Sequence, residues 1–223
     1  MSIDVATYLV TQHDLSAGRS TEAIVDAALA GGVDVVQVRE KHTTAREQLR
    51  VAEALREPTA DADVPLIIND RVDVAAAADA DGVHLGDDDL PVSVAREQLG
   101  EDAIIGRSVS TPEAAREAEA AGADYLGVGA VYTTQSKDVD DDNQAIGLER
   151  VEAIADAVDI PFVGIGGVTA DNAADVVAAG ADGVAVITAI TEADDPEQAT
   201  RDLHDAVEAG KRRRDGAEME GAA

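Results

Sequence analysis

The residues best suited to chemistry lie in the stretch Gln37-Val38-Arg39-Glu40-Lys41. It closes an apolar run, Val33–Val38, so its two cations emerge where a buried strand gives way to a loop. Fixed positive charges two residues apart at a strand end can grip opposite sides of a polyphosphate. The chain has three lysines, Lys41, Lys137 and Lys211, and the first two each follow an apolar run. Asp70 and Asp89 stand after two further runs, and two carboxylates with phosphate oxygens are a usual donor set for Mg2+. Gly164-Ile165-Gly166-Gly167, with Ile187-Thr188 at the end of the last run, can bring backbone N–H groups up to a phosphomonoester. The chemistry suggested is the handling of two phosphorylated groups, one of them a pyrophosphate.

Positioning these residues takes many elements. Apolar runs at Thr7–Val10, Val33–Val38, Pro65–Ile68, Gly82–Leu85, Ile104–Ser108, Tyr125–Val128, Pro161–Ile165 and Gly183–Ile187 read as strands. Helical stripes lie between them, such as Ile24, Val25, Ala28 and Leu29, or Leu148, Val151, Ile154, Ala155 and Val158. Thr44-x-x-Glu47 reads as a capping box, and Thr111-Pro112 and Asp195-Pro196 as caps followed by proline. A small-Gly-x-Asp step recurs before strands at Asp34, Asp124 and Asp182, which marks an internal repeat. Strands too apolar for a wet face, each followed by a helix, predict a parallel sheet under helices. Their number favours a single-domain α/β fold, a (β/α)8 TIM barrel over residues 1–210. Residues 211–223 lack periodicity and are expected to be a disordered tail, with the basic run Lys211–Arg214 complementing the last helix dipole.

Such a barrel reacts at the C-terminal ends of its strands. There the sequence delivers Gln37, Arg39 and Lys41; Asn69 and Asp70; His84 and Asp89; Ser108; Thr134, Gln135, Ser136 and Lys137; Gly167; and Ile187 and Thr188. Taken singly, each has a bland explanation. Arg39-Glu40-Lys41 alone reads as a solvated turn, Asn69-Asp70 as turn chemistry or a helix cap, and Asp89 as part of an acidic run. His84 reads equally as a packed histidine or a substrate contact, and the acidic stretch Asp138–Asn143 as surface decoration or part of a lid. At matching strand ends, jointly, the functional reading prevails.

Composition removes other classes. The formal charge of −29 argues against nucleic acid or an anionic membrane as partner, and such a surface suits a protein kept soluble in concentrated salt, as in a halophile's cytoplasm. There is no cysteine for a disulfide or thiolate metal site, and no apolar run of membrane-spanning length. A cytoplasmic location is expected.

The motifs Q-V-R-E-K (37–41), N-D (69–70), G-V-H-L-G-D-D-D-L-P (82–91), G-R-S (106–108), T-T-Q-S-K (133–137), G-I-G-G-V (164–168) and A-V-I-T (185–188), in this order, resemble the thiamine-phosphate synthase family from about Tyr8 to Ala206. The resemblance implies Mg2+-dependent joining of hydroxymethylpyrimidine pyrophosphate to a thiazole phosphate, with release of pyrophosphate. It implies that Gln37, Val38, Arg39, Glu40, Lys41, Asn69, Ser108 and Lys137 bind the pyrimidine substrate, with Arg39, Lys41, Ser108 and Lys137 catalytic. Asp70 and Asp89 would hold the metal, and Thr134, Gln135, Ser136, Gly167, Ile187 and Thr188 the thiazole phosphate. Gln12, Asp87, Thr133 and Ser136 depart from the family's common residues. Alternatives are a thiazole tautomerase of the same fold, a lyase or aldolase using Lys41 or Lys137 as a Schiff base, and a non-catalytic phosphate-binding barrel.

Overall fold

The structure is a computed structural model that describes residues 3–134 and 145–221. Its strands are β1 (Thr7–Val10), β2 (Val35–Val38), β3 (Leu66–Asn69), β4 (Gly82–Leu85), β5 (Ile104–Val109), β6 (Tyr125–Gly129), β7 (Phe162–Ile165) and β8 (Gly183–Val186). They pair in parallel in sequence order and close, β8 against β1, into the expected (β/α)8 barrel. Helices α1 (Thr21–Ala30), α2 (Ala45–Asp61), α3 (Val72–Ala77), α4 (Val92–Leu99), α5 (Pro112–Ala120), α6 (Gly147–Ala155) and α7 (Ala173–Ala178) follow the first seven strands, and α8 (Thr188–Thr191) and α9 (Pro196–Gly221) follow β8.

Strand alternation makes two cores. Tyr8, Val10, Val35, Ile67, Tyr125, Val163, Ala185 and Ile187 fill the barrel interior. The intervening residues, such as Leu9, Val36, Val38, Ile68 and Leu126, pack outward against helices. Caps read from the sequence are present: Thr44 and Glu47 form the reciprocal box, and the Thr111 and Asp195 side chains accept from the N–H groups of Ala114 and Gln198.

The recurring aspartate clamps neighbouring strands. Asp34 donates its N–H to the Thr7 carbonyl at 2.9 Å, while its carboxylate accepts the Thr7 N–H at 2.8 Å. Asp81 treats Leu66 in the same way, Asp124 treats Ile105, and Asp182 treats Phe162. Every even-numbered strand is thereby pinned to its predecessor. The turn into each clamp needs a left-handed residue two positions earlier, supplied by Gly32, Gly122 and Gly180. The fourth copy is hidden in the sequence because Asp79, at φ +52°, takes the glycine's place. The clamp also explains why β2 begins at Val35 and not at Val33, since Asp34 spends its own polar groups on β1.

One expectation is overturned. The segment from residue 211 is not a disordered tail among the described residues, because α9 continues to Gly221. Gly210 lets α9 approach α7, where an added Cβ would meet the Ala174 carbonyl oxygen at 2.7 Å. Beyond it, Arg213 pairs with Asp175 at 2.9 Å, and Arg214 donates to the carbonyls of Gly180 and Ala181. Arg214 thus serves the carbonyls just beyond the C-terminal end of α7, and Arg213 an aspartate in that helix's first turn, rather than the end of their own helix.

The charge-assisted bond from the Phe162 N–H to the Asp182 carboxylate in the strand clamp contributes roughly 1.5–3 kcal/mol. Asp182→Ala is therefore expected to lower unfolding free energy by about that amount, and Asp182→Asn, which keeps an acceptor, by less. Denaturant titration in high salt measures both.

Candidate active site

The barrel's C-terminal mouth holds a pocket of about 280 Å³ lined by Gln37, Arg39, Lys41, Asn69, Asp70, Asp89 and Ser108, all expected from the sequence. Strand alternation decides which neighbours join them. Gln37 and Arg39 point inward from β2 and its continuation, whereas the Val38 side chain packs among the helices. Glu40 is buried, and its carboxylate accepts from the Thr11 and Thr21 hydroxyls at 2.8 and 2.9 Å and from the His13 N–H at 2.8 Å. Val38 and Glu40, expected to touch substrate, instead have side chains committed to core and loop bracing.

Arg39 is 7% exposed, and its guanidinium donates to the Gln12 amide oxygen. That bond orients the guanidinium at the pocket wall. Asp70 adopts φ +62° and donates its N–H to the His84 carbonyl at 2.8 Å, a turn that aspartate tolerates and that aims its side chain at the mouth. Asp89 is fixed by the Gly86 N–H, 2.6 Å from Oδ2. The two carboxylates both line the larger pocket. Partial withdrawal from water, then the facing Asp89, push Asp70 up to about 6, against the pull of Arg39 and Lys41.

A smaller pocket adjoins, lined by Thr134, Gly166, Gly167, Ile187 and Thr188. Gly166 and Gly167 have φ +101° and +64°, and a Cβ on Gly167 would meet the Thr133 carbonyl oxygen at 2.7 Å. Asn172 holds this turn, its amide donating to the Gly167 carbonyl at 3.0 Å and accepting from the Thr169 N–H at 2.9 Å. Thr188 opens the short α8, whose Ile190 and Thr191 N–H groups donate to the Ile187 carbonyl at 3.1 and 3.0 Å. Gln135, Ser136, Lys137 and the acidic stretch 138–143 lie outside the described residues.

Sequence reasoning missed two tyrosines. Gln37 Nε2 donates to the Tyr8 hydroxyl at 2.7 Å, and that hydroxyl lies 2.7 Å from the Tyr125 hydroxyl. Tyr125 in turn meets His84 Nδ1 at 3.0 Å, and His84 Nε2 meets Ser108 Oγ at 2.9 Å. The signal available was the rarity of aromatics, three Tyr and one Phe, with Tyr8 and Tyr125 both within predicted strands.

Ionising Asp70 costs the metal-free fold stability. Its folded pKa is raised, so the cost is absent below the ordinary aspartate range and complete above about pH 6. Asp70→Asn should therefore melt above the parent protein at pH 8 in chelator. The gain should shrink as pH falls through 6 and vanish near 4, as melting curves across pH would show.

Comparison with known proteins agrees with this geometry. The thiamine monophosphate synthase family profile matches residues 7–190. The thiamine-phosphate synthase of Natronomonas pharaonis is 68% identical over 208 residues, covering 93% of this chain and 97% of that one. That of Haloarcula marismortui is 66% identical over 210 residues, covering 94% and 100%. The solved thiamine phosphate pyrophosphorylase from Pyrococcus furiosus superposes with a TM-score of 0.85 at 41% identity, covering 93% of this chain and 98% of that one. A barrel with these strand-end residues, matched along nearly its whole length, belongs to the thiamine monophosphate synthase family.

Proposed function

We propose that this chain condenses 4-amino-2-methyl-5-hydroxymethylpyrimidine pyrophosphate with 4-methyl-5-(2-phosphooxyethyl)thiazole, forming thiamine phosphate and releasing pyrophosphate, with Mg2+ as cofactor. The observation that carries this reading is the adjoining of two unlike pockets. They share Ile165, Ala185 and Ile187; one bears cations and paired carboxylates, the other a glycine turn.

In this reading Arg39 and Lys41 hold the pyrophosphate, and Gln37 and Ser108 meet the pyrimidine. The C–O bond to pyrophosphate breaks with its electron pair, leaving a pyrimidinylmethyl cation stabilised by the amino-substituted ring. Negative charge gathers on the departing group, where Arg39 and Lys41 are already aimed, so no reorganisation is needed as the bond breaks. The thiazole nitrogen then forms the C–N bond to the same carbon. Gly167, Thr188 and Thr134 anchor its phosphate in the smaller pocket and so hold the ring beside the reacting carbon. The apolar side chains of Ile165 and Ile187 lie between the phosphate regions and exclude water from the cation.

The carboxylate pair fits a hard cation. Asp70 and Asp89 face the same pocket, and a divalent ion held there would relieve the repulsion that Asp89 exerts on Asp70. Among the described residues no three His, Cys, Asp or Glu side chains converge on one point, so phosphate oxygens and water would complete the shell. When bound, Mg2+ would add positive charge opposite the leaving group. No described helix is long and apolar enough to cross a membrane, and small-molecule substrates in a cytoplasmic setting fit the reading.

The test is pyrophosphate release in high salt with Mg2+, each substrate supplied alone and together. Release should need both substrates and match thiamine phosphate formation, and Asp89→Ala or Arg39→Ala should lower kcat by about 10²- to 10³-fold. Release at full rate without the thiazole, or no coupled product from folded protein, would contradict the reading.

A further inference from the structure

Beneath the larger pocket, the barrel axis is crossed by the row Gln37–Tyr8–Tyr125–His84–Ser108. Two glycines clear its path. A Cβ on Gly106 would collide with the Tyr125 ring, and one on Gly127 would meet His84 Cε1 at 2.9 Å. Tyr8, Gln37, His84 and Ser108 all reach the pocket wall, while Tyr125 lies fully buried below it. The two ends of the row come from β2 and β5, on opposite sides of the mouth.

Counting hydrogens gives the row a direction. Gln37 donates to Tyr8, so the single Tyr8 hydrogen must go to Tyr125, and the Tyr125 hydrogen to His84 Nδ1. The histidine hydrogen then sits on Nε2 and goes to Ser108 Oγ, which leaves the serine's own hydrogen free for the pocket. Run the other way with Gln37 still donating, the buried Tyr8 hydroxyl has no acceptor among the described residues, which is costly. Burial pushes both phenols well above their ordinary range, so each keeps its hydrogen.

We propose that Tyr8 and Tyr125 are positioning residues that couple the hydrogen-bonding sense of Gln37 to that of Ser108, and so make the pocket select an aminopyrimidine over its oxo counterpart. This rests on the pyrimidine occupying the larger pocket, as proposed above. In the observed sense Gln37 offers its carbonyl oxygen and its second amide hydrogen, which match an exocyclic amine beside a ring nitrogen. Ser108 offers a hydrogen to the ring nitrogen on the far side. A 4-oxo ring reverses the first edge, presenting a carbonyl beside a ring N–H, but keeps the far nitrogen as an acceptor. To serve that edge the Gln37 amide must turn over. Every hydrogen in the row then reverses, and Ser108 points its hydrogen at His84 instead of the ligand. The oxo ring can therefore be satisfied at one end only, and a site left with unpaired polar groups discriminates strongly. Breaking the row in the middle lets each end turn independently.

The experiment is calorimetric titration, in high salt with Mg2+, of the 4-amino pyrimidine pyrophosphate, its 4-oxo analogue and the thiazole phosphate. Parent protein and Tyr125→Phe are compared, with Tyr8→Phe as a second break should the first variant not melt cooperatively. The parent should prefer the amino ring. Each folded variant should lose roughly tenfold or more of that preference, with affinity for the thiazole phosphate unchanged. A folded variant that keeps the parent's ratio of dissociation constants overturns the proposal, because a merely structural role leaves the ratio alone. A parent that binds both rings equally overturns it too. Variants that lose the preference, in a parent that makes no thiamine phosphate in the turnover assay above, would remove the synthase reading while leaving the coupling supported.

Discussion

A parallel barrel has one inside, filled by every second residue of eight strands. That pleat is the constraint on which everything at the mouth depends. It sends Gln37 and Arg39 into the pocket, and Val38 and Glu40 into the surrounding layer. It also stacks Tyr8 under Gln37, and Tyr125 under His84 and Ser108, so the packed interior passes without a break into a polar floor. The aspartate clamps at the opposite end keep the alternation in register, since a slip of one residue would exchange the two sets.

The mouth sets charges of opposite sign against one another. Arg39 and Lys41 both draw Asp70 toward its ionised form, while Asp89 and desolvation resist it. Such a cluster is poorly settled without ligands. A diphosphate between the cations and a divalent ion between the carboxylates would satisfy both halves together. In a chain of formal charge −29, Arg39 is an arginine only 7% exposed that lines the larger pocket, oriented there by the Gln12 amide oxygen. High salt screens exposed charges far more than buried ones, so the acid-rich surface and the site are electrostatically separable.

Much of this was legible in the sequence. Apolar runs with glycine and aspartate punctuation gave the barrel, and strand-end position picked out Arg39, Lys41, Asp70, Asp89 and Ser108. What escaped shares a physical cause, namely partners distant in sequence. Glu40 looks like part of a cationic motif until Thr11 and Thr21 are seen to occupy its carboxylate. Tyr8 and Tyr125 look like ordinary strand aromatics until their hydroxyls meet across the axis. The C-terminal segment looks polar and aperiodic until Asp175 and the end of α7 receive its arginines.

The central claim is that two phosphate-bearing ligands occupy two adjoining pockets, and a crystal structure with thiamine phosphate, pyrophosphate and Mg2+ tests it most directly. Pyrophosphate should lie against Arg39 and Lys41 with the cation between Asp70 and Asp89. The product's phosphate should lie on Gly167 and Thr188. Pyrophosphate in the glycine turn, or both ligands in the larger pocket, would contradict it.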